Sequence, residues 1–133
     1  MAISTDDYVA ISNLLGEYCW LVDEGDEAGW TALWTEDGEF IGFGPQPLVG
    51  REQLAAIPRH SLNTGQGMLR HKVANLHARY GDSTDTVHAR LYNHVTNWSK
   101  GGVPVVLAVC EMILVRDGDS WKIQRNDARM LSA

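Results

Sequence analysis

The segment from Gly81 to Trp121 reads GDSTDTVHARLYNHVTNWSKGGVPVVLAVCEMILVRDGDSW. Clusters of turn-forming residues at 81–84, 100–102 and 117–120 separate long runs rich in β-branched and apolar side chains. Because short turns join neighbouring antiparallel strands, this spacing predicts a meander of four strands. Their expected ranges are His71 to Tyr80, Thr86 to Ser99, Val103 to Arg116 and Trp121 to Met130. Strands this long in so short a chain must bend, so we expect a curved sheet.

The residues before this meander predict helices. The first helix begins at Ser4 or Thr5 and ends near Glu24, because Gly25 is a natural residue to follow a helix. Apolar residues recur along it with the helical period of about 3.6 residues: Ile11, Leu14, Leu15, Tyr18 and Val22. Asp26 can cap a short second helix that runs through Trp34.

A turn over residues 35–38 and a strand from Glu39 to Phe43 follow the second helix in this interpretation. A third helix begins at Gly50, and Pro58 kinks or shortens it. We expect a loop over residues 63–67 before the first long strand. Helices in the first half and strands in the second indicate the α+β class. The sequence thus predicts one domain, residues 1–133, with three N-terminal helices packed on a curved, mostly antiparallel sheet. A bent sheet wrapped around helices makes a cone, and the mouth of such a cone usually holds a ligand pocket.

Composition excludes several classes of function. The net charge is −6, and the 11 Lys and Arg residues form no run, which argues against binding to nucleic acid or to an anionic membrane surface. The first 20 residues lack the basic start of a signal peptide, and no apolar stretch reaches the length of a membrane span. Cys19 and Cys110 have no metal-ligand spacing and are expected to be buried free thiols. The expectation is a cytoplasmic protein.

The histidines do not predict a metal site. His88 and His94 share one face of a strand, but at the rise of a β-strand they lie about 20 Å apart. No HxxxH helix or Cys/His cluster is present. We therefore expect no metal.

Four motifs occur in an order and spacing that resemble a known family. They are Tyr18 to Asp26 followed by Trp30 and residues 33–38, Gly50-Arg51-Glu52, Arg70-His71-x-x-x-Asn75, and residues 115–123. Each is weak alone, but together they span nearly the whole chain. The sequence resembles the SnoaL-like family of the nuclear transport factor 2-like superfamily, which implies a cystatin-like α+β cone.

The resemblance also implies a chemistry. Within that superfamily, scytalone dehydratases and hexachlorocyclohexane dehydrochlorinases place an aspartate at the end of the first helix and a histidine at the start of the first long strand. Asp23 and His71 match these positions. The pair acts there as an acid/base dyad without metal or cofactor. The implied function is a dehydratase-like lyase or isomerase acting on a small apolar or cyclic molecule. One departure is Val22, where scytalone dehydratases carry a tyrosine.

The residue types suit this chemistry. Asp23 continues an apolar lane of the first helix, and it lies at the helix C-terminus, where free carbonyls repel negative charge. A neighbouring imidazole would compensate, and the aspartate would stabilise the imidazolium formed when His71 takes a proton from carbon. Candidates for the pocket wall and for substrate contacts are Tyr18, Trp30, Asn75 and Asn93. Asn93 and its neighbour His94 are alternatives for the polar position on the following strand.

Other interpretations remain open at this stage. Asp23 could be a solvated residue at a helix end, and His71 a structural residue of a strand. The chain could be a ligand-binding module without catalysis, or a scaffold like the β subunits of aromatic-ring dioxygenases. The resemblance also implies a homodimer through the open face of the sheet.

Overall fold

The computed structural model describes residues 1–131 of this chain. The helices in this part are α1 (Thr5–Glu24), α2 (Glu27–Thr31), α3 (Arg51–Leu54) and α4 (Ala56–Gly65), with a 3-10 turn at Trp98–Lys100. The strands are β1 (Trp34–Ile41), β2 (Leu48–Val49), β3 (Leu69–Tyr80), β4 (Thr86–Asn97), β5 (Val103–Asp117) and β6 (Ser120–Leu131). No helix within residues 1–131 combines the length and the apolar character needed to cross a membrane.

Caps fix both ends of α1 and the start of α2, as the sequence predicts, but α2 ends at Thr31 and not at Trp34, which is the first residue of β1. The Ser4 hydroxyl accepts a hydrogen bond of 3.1 Å from the main-chain N–H of Asp7. Gly25 ends α1 in the left-handed conformation, with φ of 69°. The Asp26 carboxylate then accepts the N–H of Gly29 at 2.9 Å and starts α2. These caps use only neighbouring residues, which is why local sequence predicts them.

Three further predicted elements differ in the structure. The expected turn over residues 35–38 lies inside β1, as an irregularity in its pairing with β6 between Trp34 and Glu39. The expected third helix is two helices that meet at Ala55, before Pro58. Pro58 lies in the first turn of α4, where its missing N–H would have no helical partner in any case. Helix α4 extends to Gly65, so residues 63–65 are not a loop.

The six strands form one sheet in the order β2-β1-β6-β5-β4-β3. Strands β3 to β6 make the predicted antiparallel meander, and β1 joins its edge by pairing parallel to β6. Helices α1 and α4 lie against one face of this sheet, and the apolar core fills the space between. The class is α+β with helices on a mostly antiparallel sheet, as the sequence predicts.

A β-bulge in β3 reverses the direction of its side chains. Asn75 has φ of 57°, and the pairing register with β4 shifts between Ala74 and His77. Before the bulge, His71 and Val73 point to the helix-covered face. After it the inward residues have even numbers, ending with Tyr80. A one-residue shift moves every later side chain to the opposite face.

Candidate active site

A cavity of about 350 Å³ lies between the inner face of the sheet and helices α1 and α4. Its wall is mostly apolar, with contributions from Val22, Phe40, Ile57, Leu69, Val95, Val106, Ala108 and Met130. Its polar lining residues are Tyr18, His60, Ser61, Thr64, His71 and Asn93. No lysine, arginine, aspartate or glutamate lines it among residues 1–131. The cavity therefore suits a neutral ligand with few polar groups.

The structure brings Asp23 and His71 into direct contact. Nδ1 of His71 lies 2.7 Å from Oδ1 of Asp23, within hydrogen-bond distance. The two side chains are only 8% and 12% exposed, so the contact is largely shielded from water. Since Asp23 can only accept when ionised, Nδ1 is assigned as the protonated nitrogen. Nε2 then keeps a lone pair and can act as a base toward the cavity, which His71 lines.

Asp23 also holds the main chain of His71. The N–H of His71 lies 3.0 Å from Oδ1 and 3.2 Å from Oδ2 of Asp23. The carboxylate comes from the last turn of α1, and His71 is the third residue of β3. One carboxylate thus orients the ring and anchors the start of the strand. The cavity wall includes His71 but not Asp23, so the aspartate lies behind the imidazole.

Tyr18 lies in the cavity wall one helical turn before Val22. Its ring packs against Trp30, with centroids 5.2 Å apart, and it is almost fully buried. Its hydroxyl oxygen lies 3.4 Å from Nδ2 of Asn126, a fully buried residue of β6. Burial raises the pKa of Tyr18 well above the ordinary value of 10.0. The hydroxyl therefore stays protonated and can donate a hydrogen bond.

Asn93, not His94, is the residue of β4 that faces the cavity. Asn93 is buried with 8% exposure, and its Oδ1 has no hydrogen-bond partner among the described residues. In the register of the sheet it lies opposite Val73, beside His71 on the same face. His94 points to the other face, because neighbouring residues of a strand alternate. A buried amide oxygen without a partner is costly unless a ligand satisfies it.

Two predicted substrate contacts lie elsewhere in the structure. Trp30 is fully buried in the aromatic core beside Tyr18 and Trp34 and does not line the cavity. Asn75 lies at the bulge of β3 and faces a groove on the outer side of the sheet, with His77 and Tyr92. The bulge is the physical reason, since a regular strand would place Asn75 on the same face as His71.

Helix α4 supplies cavity residues that the sequence analysis did not single out as a site. His60, Ser61 and Thr64 line the cavity, and the Thr64 hydroxyl lies 3.2 Å from Nε2 of His60. The ring of His60 meets that of Phe43 edge-on, at 5.3 Å between centroids. They follow Ile57 by three, four and seven residues, which places all three on its helical face, and this spacing is the signal that could have identified them.

The two cysteines are free and buried, as predicted. Burial, with a smaller contribution from Asp23, raises the pKa of Cys19 to about 12. Burial raises the pKa of Cys110 to about 11, against an opposing hydrogen bond with Asn126. Both thiols are therefore protonated near neutral pH. Cys110 lines the cavity as a small apolar group rather than as a nucleophile.

Solved structures with this fold are similar along nearly the whole chain. Aln2 from a Streptomyces species has a TM-score of 0.87 at 22% identity, covering 98% of this chain and 94% of its own. A cystatin-like protein of unknown function from Nostoc punctiforme has a TM-score of 0.85 at 19% identity, covering 100% and 97%. A protein from Novosphingobium aromaticivorans, named as a candidate scytalone dehydratase, has a TM-score of 0.76 at 16% identity, covering 95% and 85%. At these identities the similarity shows the fold alone.

Comparison by sequence gives the family. No curated protein matches the chain. The model of the SnoaL-like domain matches residues 4–127, which include all four motifs and both members of the Asp23–His71 pair. The chain therefore belongs to the SnoaL-like domain family.

Proposed function

We propose that this protein is a cofactor-independent lyase or isomerase that removes a proton from carbon in a small, largely apolar molecule. The observation that carries the proposal is the 2.7 Å contact between Nδ1 of His71 and Oδ1 of Asp23 at the wall of an apolar cavity. A general base must be oriented and must face the substrate. His71 meets the first requirement through Asp23 and the second through its place in the cavity wall.

The proposed reaction begins at a carbon next to a carbonyl group. Nε2 of His71 takes the proton, the C–H electron pair forms a C=C bond, the π pair of the carbonyl moves to its oxygen, and an enolate results. The Asp23 carboxylate stabilises the resulting imidazolium. The enolate could then expel halide from the neighbouring carbon, or expel a hydroxyl group that takes the proton back from the imidazolium and leaves as water, and the protein would be a lyase. Return of the proton to a different carbon would make it an isomerase.

Hydrogen–deuterium exchange tests this step without knowledge of the natural substrate. A panel of one-ring and two-ring ketones is incubated in D₂O with the protein, and loss of the α-proton signal is followed by NMR. We expect exchange about 10²-fold to 10⁴-fold faster than in buffer, the usual contribution of a positioned general base. His71→Ala and Asp23→Asn should remove most of this acceleration.

His77→Ala is the matched control, because His77 belongs to the same strand but faces its outer side. It should exchange ketone protons at the rate of the unaltered protein. If every ketone that binds exchanges no faster than in buffer, proton abstraction is not the function. Equal losses in His77→Ala and His71→Ala would also contradict it, because the effect would then not depend on the cavity.

A ligand-binding function without catalysis is the second candidate. The observation that favours it is the hold of Asp23 on the main-chain N–H of His71, which is a structural contact between α1 and β3. Under this alternative, Asp23→Asn would lower the thermal midpoint and leave ketone affinity unchanged, and no protein-dependent exchange would occur. Under the catalytic proposal, exchange falls by a larger factor than affinity.

We also propose a homodimer through the outer face of the sheet. Tyr92 and Leu131 are 39% and 48% exposed there, beside Val109 and Arg129 in one groove. Apolar side chains in such a patch favour a partner surface. Size-exclusion chromatography with light scattering should give about twice the chain mass of 14.7 kDa. A monomer that persists at about 100 µM would exclude the dimer, since stable interfaces of standard size bind far below that concentration.

A further inference from the structure

Asn126 is a buried polar residue that the proposed reaction does not use. It is fully buried in β6, between Met112 of β5 and Phe40 of β1 in the register of the sheet. Ala128, two residues later on the same face, lines the cavity, whereas Asn126 lies outside its lining. A buried amide this far from solvent must satisfy its polar atoms or reduce stability.

Only part of the Asn126 amide has a partner. Nδ2 donates to the Tyr18 hydroxyl oxygen at 3.4 Å, the amide also makes the hydrogen bond that opposes the raised pKa of Cys110, and Oδ1 has no hydrogen-bond partner among the described residues. A 3.4 Å contact is long for a hydrogen bond, so it offsets little of the cost of the unpartnered oxygen. Leucine has nearly the same shape as asparagine and would remove both polar atoms. Stability therefore does not account for an asparagine at this position.

The contact has a clear effect on Tyr18. With the amide nitrogen of Asn126 assigned to the end that faces Tyr18, the hydroxyl oxygen accepts from Nδ2, its own hydrogen points away from Asn126, and no described side chain accepts it. Tyr18 lines the cavity, so this hydrogen is available to a ligand there. No cationic lysine or arginine lines the cavity within residues 1–131, and a carboxylate or phosphate ligand would lack charge compensation.

We infer that Asn126 is a positioning residue: it orients the Tyr18 hydroxyl as a hydrogen-bond donor to the oxygen of a neutral ketone bound in the cavity. This rests on the proposed function, in which the ketone oxygen gains negative charge as His71 removes the proton. A donor held in advance at that oxygen stabilises the enolate without reorganisation. Size fits a two-ring compound, since the cavity of about 350 Å³ is more than twice the ~150 Å³ that holds benzene in another protein.

The test uses 1-indanone, a neutral two-ring ketone, and indane, which has the same ring frame without the oxygen. Dissociation constants are measured by calorimetry, and the carbonyl stretch of bound 1-indanone by infrared difference spectroscopy. We expect 1-indanone to bind about three-fold to ten-fold more tightly than indane, the usual net effect of one hydrogen bond. Its carbonyl stretch should move to lower frequency than in water-free solvent.

Two variants distinguish a positioning role of Asn126 from a purely structural one. Tyr18→Phe should abolish both the frequency shift and the preference for the ketone. Asn126→Leu should reduce both, yet unfold at the same temperature as the unaltered protein or higher, because it removes an unpartnered buried oxygen. If Asn126 had only a structural role, Asn126→Leu would lower the unfolding temperature, and the carbonyl stretch of 1-indanone bound to the folded variant would be unchanged.

Each contrary result has a definite meaning. An unshifted carbonyl in the unaltered protein would show that Tyr18 donates to Oδ1 of Asn126 instead, and would overturn the inference. So would failure of 1-indanone to bind at its solubility limit. A shift that survives Asn126→Leu but not Tyr18→Phe would remove the role of Asn126. Because these readouts need no turnover, a shifted carbonyl without deuterium exchange would refute the proposed function and leave this inference standing.

Discussion

Replacement of Gly42 by alanine should destabilise the protein strongly. A Cβ atom at Gly42 would lie 1.9 Å from the carbonyl oxygen of Ala128, and φ at this glycine is 106°. Real Cβ atoms do not approach oxygen closer than about 3.0 Å, so β1 and β6 would have to separate by about 1.1 Å. A positive φ costs an alanine roughly 1–2 kcal/mol, and each weakened ladder hydrogen bond about 1 kcal/mol. We expect a loss of about 2–4 kcal/mol in the free energy of unfolding.

Urea denaturation followed by tryptophan fluorescence measures this change, and the thermal midpoint should fall by about 10 °C for a chain of this length. Gly44→Ala is the matched control, because a Cβ there meets no atom within 4 Å. It should change the free energy of unfolding by less than about 0.5 kcal/mol. A Gly42→Ala protein within about 1 kcal/mol of the unaltered protein would refute the close approach of these two strands.

Three further predictions concern stability and reactivity. Gly16→Ala should raise the free energy of unfolding by about 0.5–1 kcal/mol, because this glycine lies inside α1 and a Cβ there meets no atom within 4 Å; a decrease in urea denaturation would contradict it. Arg116 holds the pKa of Asp7 down from 3.8 to about 2, so the contact stabilises the protein above about pH 4 and loses its effect as the pH falls to about 2. Asp7→Asn should therefore cost about 1 kcal/mol at pH 6 and almost nothing near pH 1, below both pKa values, and an equal cost at both pH values would exclude this ion pair. Cys19 and Cys110 should react with a thiol reagent at pH 8 far more slowly in the folded protein than in urea, since burial raises both pKa values; equal rates would show that they are exposed.

Local features of this fold could be predicted from sequence, because their causes lie within a few residues. Ser4, Gly25 and Asp26 cap helices through contacts with their immediate neighbours. The three turns of the meander depend in the same way on clusters of glycine and polar residues. The start of helix α4 is harder to predict from sequence. Pro58 is compatible either with a kink in one helix or with the first turn of a new helix, and the packing of the helix in the fold decides between the two.

The candidate site depends on contacts between distant residues, which periodicity alone does not reveal. Asp23 and His71 are 48 positions apart, and only the resemblance to a family suggested that they meet. Asn75 was placed wrongly because a single residue with positive φ reverses the alternation of β3. The choice of Asn93 over His94 depends on the register of β4 against its neighbours. Asn126 could not be singled out from sequence, since its burial and its contact with Tyr18 depend on distant residues.

The double contact of Asp23 with His71 has a mechanical consequence. The same carboxylate accepts hydrogen bonds from Nδ1 of the ring and from the main-chain N–H, so the side chain and the backbone of His71 are both attached to the last turn of α1. The contact at Nδ1 fixes the rotation of the imidazole, and the contact at the main-chain N–H fixes the distance between His71 and the end of α1. Position and orientation of the imidazole are therefore both set by a single carboxylate, so that loss of this one group would release the side chain and the start of β3 together.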